Sequence, residues 1–128
     1  MSLAEAFCDK AQRSFDSAEV LLAAGYAEFA AARAYYAAFY VATALLGARG
    51  MTFKRHRALH NQFLLLVGTQ PVFAREFHTL LARGQEVRNV ADYGLEMAVP
   101  LTVVNEMISA GRNFLATARA HFAANDAP

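Results

Sequence analysis

Cysteine, proline and glycine are all scarce in this chain of 128 residues, and charge is thin. The one cysteine, Cys8, leaves no intramolecular disulfide to form, which fits a reducing compartment. Three prolines and seven glycines are too few for a loop-rich or all-β protein. Charged residues make up 18% of the chain, and a net charge of +1 gives no global reason to bind nucleic acid or a membrane. Any anion site must therefore be a local cluster. The N-terminus has no basic segment leading into an apolar core, so it does not read as a signal peptide. The longest charge-free run, Ala34 to Ala48, stops short of the ~20 residues a membrane span needs. A soluble, cytoplasmic protein is the expectation. Also missing are G-x-S-x-G, a P-loop, a dinucleotide glycine motif, H-E-x-x-H and any repeat of fixed period.

What the chain does have is apolar side chains, 56% of the total, arranged at helical spacing. A single all-α domain over residues 1–128 is expected, frayed from about 124. Its centre is RAYYAAFYVATALL, Arg33 to Leu46. Alanines at 34, 37, 38, 42 and 44 allow close helix approach, and Tyr35, Tyr36, Phe39 and Tyr40 fill the gaps between neighbours. A helix apolar on nearly all sides belongs at the middle of a bundle. Five helices are predicted, over about 3–24, 27–48, 57–67, 72–92 and 101–123. Gly25 caps the first, and Gly47 and Gly50 end the second. Gly68 stops the third, Gly84 interrupts the fourth and Gly94 stops it. Pro71 and Pro100 stand at helix starts.

Three polar groupings are candidates for chemistry. The first is Arg88-Asn89-Val90-Ala91-Asp92-Tyr93. Arg88 and Asp92 share a helix face and form either a plain helix-end ion pair or a site where Asp92 fixes a phosphate-holding guanidinium. The second is Lys54-Arg55-His56-Arg57 with His60 one turn on, near the start of a helix whose free N–H groups favour anions. It reads as a solvated basic loop or as a phosphate grip. His56 and His60 have metal-ligand spacing but no acidic third ligand, so no metal is assigned. The third is Arg33 among Tyr35, Tyr36 and Tyr40. A guanidinium turned to the core needs a carboxylate or carbonyl, for which Asp92 comes first and Glu86 second. His78 and His121 stand alone, and Cys8 lacks an activating environment.

R-A-Y-Y-A-A-F-Y at 33–40, A-L-L at 44–46, K-R-H at 54–56 and R-N-V-A-D-Y at 88–93, in that order and spacing, resemble the HEPN domain (higher eukaryotes and prokaryotes nucleotide-binding). The likeness is to its small stand-alone prokaryotic branch and covers almost the whole chain. It implies an antiparallel up-and-down bundle of four main helices plus a short extra one. It also implies a homodimer with the arginine element near a cleft between subunits, and a minimal nucleotidyltransferase partner, often in a toxin–antitoxin pair. The ribonuclease members of the family use an arginine, a polar residue and a following histidine for metal-independent cleavage by the RNA's own 2′-hydroxyl. Arg88 and Asn89 match the first two. The histidine position, 93 to 95, holds Tyr93, Gly94 and Leu95, and a phenol is a poor base at neutral pH. Arg55 and His60 match the spacing literally, but ahead of the third helix, where the match reads as chance.

The leading expectation is thus a HEPN-like protein without a standard active site and without a cofactor. It would bind a nucleotide or RNA phosphate through Arg88, Asn89, Asp92, Tyr93 and Arg33, helped by Lys54, Arg55 and Arg57. The rival is a ribonuclease toxin with a different acid/base, His56, His60 or Tyr93. A third reading is an all-α interaction module with no anion site.

Overall fold

The computed structural model describes residues 2–69, 75–93 and 99–126, without the side chains at 67–69, 75–76, 90–93 and 126. Among the described residues there are five α-helices: α1 (Leu3–Ala23), α2 (Ala27–Gly47), α3 (His56–Thr69), α4 (Arg75–Tyr93) and α5 (Leu101–Asp126). The fold is all-α. α1 begins with a capping interaction, the Ser2 hydroxyl accepting from the Glu5 N–H at 3.1 Å. It ends in a Schellman turn, with Tyr26 N donating to Leu21 O and Gly25 N to Leu22 O. Gly25 takes φ +93° there, a conformation that costs a side-chain-bearing residue more. The same pair of bonds, Met51 to Leu46 and Gly50 to Gly47, closes α2. Pro100 stands just ahead of α5, its carbonyl accepting from Val103 and Val104.

Side-chain register gives the topology. On α1 and α2, Phe7 meets Tyr40 with ring centroids 6.4 Å apart, and Ser14 Oγ donates to Arg33 O at 2.7 Å, so the two helices run antiparallel. On α1 and α5, Arg119 reaches Asp9 and Gln12 while Arg112 reaches Asp16 and Glu19, again antiparallel. On α4 and α5, Phe77 stacks on Phe114 and Arg83 lies 3.7 Å from Glu106, antiparallel once more. α1, α2, α4 and α5 therefore alternate up and down, and α3 is the short extra helix leaning on α2 and α4.

α2 is the centre. Its alanines at 30, 31, 34, 37, 38, 42 and 44 are buried with Tyr35, Val41, Leu45 and Leu46. It is also long and apolar enough, by length and composition, to cross a membrane, although its charge-free run is shorter. Most of that apolar stretch, 61%, lies inside the bundle, as a core helix requires.

Three boundary expectations are corrected. α3 continues through Gly68 to Thr69, α5 reaches Asp126 rather than Ala123, and α4 is unbroken at Gly84. Gly84 is a packing residue: a Cβ there would sit 3.0 Å from Cδ1 of Tyr35. Pro71 and Gly94 lie outside the described residues.

Candidate functional site

Tyr35 is the hinge pin of the site. Helical spacing turns it into the junction of α2, α3 and α4, where it is 1% exposed and its ring lies 5.5 Å, centroid to centroid, from that of Tyr36. Its hydroxyl lies 2.8 Å from Nδ1 of His56 and 3.0 Å from Nε2 of His60. The two histidines stand one turn apart on α3, so both imidazoles reach one oxygen. Phe39, one turn along α2 from Tyr35, packs on the His56 ring with centroids 4.4 Å apart. His60 is buried; His56 is half-buried.

Arg88 enters the same junction from α4. Its guanidinium lies 5.2 Å from the centroid of the Tyr36 ring, and Arg33 lies 5.1 Å from that same ring. Tyr36 thus gathers two cations, each attracted by the ring's electron-rich face. The Tyr36 ring also meets His56, with centroids 6.0 Å apart. Nη1 of Arg88 donates to Oδ1 of Asn89 at 3.4 Å.

The electrostatics follow from burial and these neighbours. Burial, then the charges of His56 and His78, pushes His60 down to about 4. Burial and the Arg88 charge lower His56 as well. Both imidazoles are therefore neutral at pH 7. Burial and Tyr36 raise the Tyr35 phenol, against a smaller opposing pull from Arg88. Tyr35 stays protonated and acts as a hydrogen-bonding group. What results is a neutral imidazole on one side of an aromatic ring and two fixed positive charges beside it. That set can hold an anionic phosphate and accept a proton from a hydroxyl near it.

The structure brings Arg33, Tyr35, Tyr36, His56, His60, Arg88 and Asn89 to one junction. His56, from a different helix than Arg88, reaches the same Tyr36 ring, while His60 reaches Tyr35 and Arg55 is exposed around the start of α3. Helical periodicity on α3 alone does not show this, because it needs the α2–α3 docking. Arg33 is half-buried and lies against the ring of Tyr36; Glu86 is exposed on α4, and the expected pairing with Asp92 falls on a side chain outside the described residues. The side chains of Asp92 and Tyr93 lie outside the described set. Lys54, Arg55 and Arg57 are exposed around the start of α3. Cys8 is buried and its thiol is raised by burial, so it has no nucleophilic role here.

A HEPN domain model matches residues 4–121. The chain belongs to the HEPN family. The match takes in α2, α3 and α4 whole and most of α1 and α5, and the family carries nucleotide- or RNA-related function. The chain is also similar to the UPF0332 protein glr0978 of Gloeobacter violaceus, 33% identical over 89 residues that make up 67% of this chain and 68% of that protein.

Proposed function

We propose that this HEPN protein binds a nucleotide or an RNA phosphate at the α2–α3–α4 junction and acts with a minimal nucleotidyltransferase, as one half of a toxin–antitoxin pair. Arg88 is the principal phosphate ligand and Arg33 the second. Asn89, Asp92 and Tyr93 complete the α4 side, and Lys54, Arg55 and Arg57 draw the anion in. The protein works as a homodimer. The observation that carries the reading is the meeting of Arg88 and Arg33 on the Tyr36 ring beside His56. A charged hydrogen bond is worth about 1.5–3 kcal/mol. Titration of ATP, GTP and short RNA should therefore show Arg88→Ala binding about tenfold more weakly than wild type, or worse. Equal binding by both proteins removes Arg88 from the site. Sedimentation of the purified protein checks the dimer; whether a minimal nucleotidyltransferase is encoded in the neighbouring reading frame, and co-purifies with this protein, checks the pair.

One observation favours a second reading, ribonuclease activity. His56 is a neutral imidazole held beside Arg88, although it comes from α3. It can take the proton of an RNA 2′-hydroxyl. The 2′-oxygen then attacks phosphorus, and the 5′-oxygen leaves and takes a proton from water. The products are a 2′,3′-cyclic phosphate and a 5′-hydroxyl. Arg88 stabilises the added negative charge on the phosphoryl oxygens. On this reading, expression arrests growth and His56→Ala relieves the arrest. Intact RNA after incubation with purified wild-type protein excludes it.

A further inference from the structure

The acidic and basic residues of α1 are sorted onto different flanks. Glu5, Asp9, Asp16 and Glu19 recur at i, i+4, i+11 and i+14 and share one stripe with Gln12. Along it, Arg119 of α5 binds Asp9 and Gln12, and Arg112 binds Asp16 and Glu19. Lys10, Arg13 and Ser17, at i, i+3 and i+7, form another stripe, turned to α2. Lys10 Nζ lies 4.7 Å from the centroid of the Tyr40 ring. Lys10, Arg13, Ser14, Ser17, Arg33 and Tyr40 together line a shallow depression of about 320 Å³. Two of its hydroxyls are already directed at backbone, Ser14 to Arg33 O and Ser17 to Arg13 O. The depression therefore presents three cations and a phenol ring. Glu28 of α2, seven residues before Tyr35, falls on the flank of Tyr35 rather than that of Tyr36 and Tyr40.

This depression is continuous with the junction. The Tyr40 and Tyr36 ring centroids are 6.4 Å apart with planes inclined by 31°. Tyr36 in turn touches Arg33, Arg88 and His56. Along this line Lys10 lies over the Tyr40 ring, Tyr40 stands beside Tyr36, and Arg33 and Arg88 both lie over Tyr36. A single phosphate needs only one end of such a line. A single strand uses all of it, its phosphates on the cations and its bases against the rings, since any base has a face to stack. A duplex keeps its bases stacked inside and leaves the rings unused.

We infer that the site extends from Arg88 over the Tyr36–Tyr40 ridge to Lys10 and Arg13 of α1, and that its ligand is a single strand of several nucleotides rather than a mononucleotide. The inference rests on the phosphate-binding reading above and adds the ligand's length and path.

Fluorescence anisotropy with RNA and DNA single strands from one nucleotide to about eight, in a salt series, tests it. The wild type should bind the longer strands at least tenfold more tightly than AMP. Lys10→Ala/Arg13→Ala, which changes two exposed residues, should lose most of that gain. Each lost phosphate contact should lower the log–log salt slope by about 0.7. Arg49→Ala, an exposed cation beyond the end of α2, controls for general charge and should bind as wild type does. AMP and the longest strand binding wild type equally, with a loss on Arg88→Ala, overturns the extension and leaves the phosphate site standing. A double variant with unchanged strand affinity and slope does the same. A duplex preferred over the single strand also overturns it. No binding of any nucleotide or strand by wild type sinks both.

Discussion

The Tyr35 hydroxyl holds together residues that the chain separates by more than twenty positions. It has one proton to donate and faces two imidazole nitrogens, so it donates to one and accepts from the other. Tyr35→Phe keeps the ring that fills the core and removes only the oxygen. The buried His60 nitrogen is then left without that partner, at a cost of about 1–3 kcal/mol. Chemical denaturation should show the loss as a lower midpoint with an unchanged m-value. The histidines also set a pH dependence. In the folded protein His60 is lowered to about 4, against 6.5 for the free side chain. As pH falls through 6.5 the unfolded chain takes up a proton that the folded chain refuses. Stability is therefore full above about 6.5, declines between there and 4, and loses nothing more from this group below. A shift of that size corresponds to roughly 3 kcal/mol. His56, also lowered, acts in the same direction. Urea denaturation at pH 7, 5.5 and 4.5 should follow this course. A flat profile would mean that His60 is reached by water.

Between helices, the tightest constraints lie where a side chain is missing. A Cβ at Gly111 of α5 would overlap the ring of Phe15, which is fully buried on α1. Gly111→Ala should destabilise by about 1–3 kcal/mol from overpacking, even though alanine is the better helix former by up to ~1 kcal/mol. Gly84 is milder. Its Cβ would press on Tyr35 at 3.0 Å, a shift of a few tenths of an ångström. Gly84→Ala should leave the melting temperature almost unchanged and instead move the histidine imidazole resonances in NMR, because Tyr35 passes the displacement to both rings. These glycines also mark how far the sequence can be read. The helices and the central place of α2 follow from alanine content and apolar spacing, which are local properties. A glycine inside a helix, however, reads as a break, as at 68 and 84, unless the partner ring is known. Arg88 stands out within a local pattern. His56 and His60 stand out in another local pattern, and what the sequence does not show is that they share a junction with Arg88, because that arises only once α3 has docked against α2 and α4. Arg33 invites a carboxylate on paper, and the fold sets it against a phenol ring of its own helix, a contact that apolar spacing does not announce.

For the molecule as a whole, the α1–α5 seam is laced by Arg112 with Asp16 and Glu19 and by Arg119 with Asp9. All of these groups are substantially exposed, so each pair is worth at most ~1 kcal/mol. Arg112→Ala and Arg119→Ala should therefore fold normally and melt within a few degrees of wild type. The effect of the seam on charge reaches further than its effect on stability. By tying up the acids of α1 along one side, it leaves Lys10, Arg13 and Arg33 to set the sign of the potential on the other, in a chain whose net charge is only +1. A polyanion approaching at low ionic strength is turned toward that side before any atom touches, and the torque fades once salt shortens the Debye length to a few ångströms.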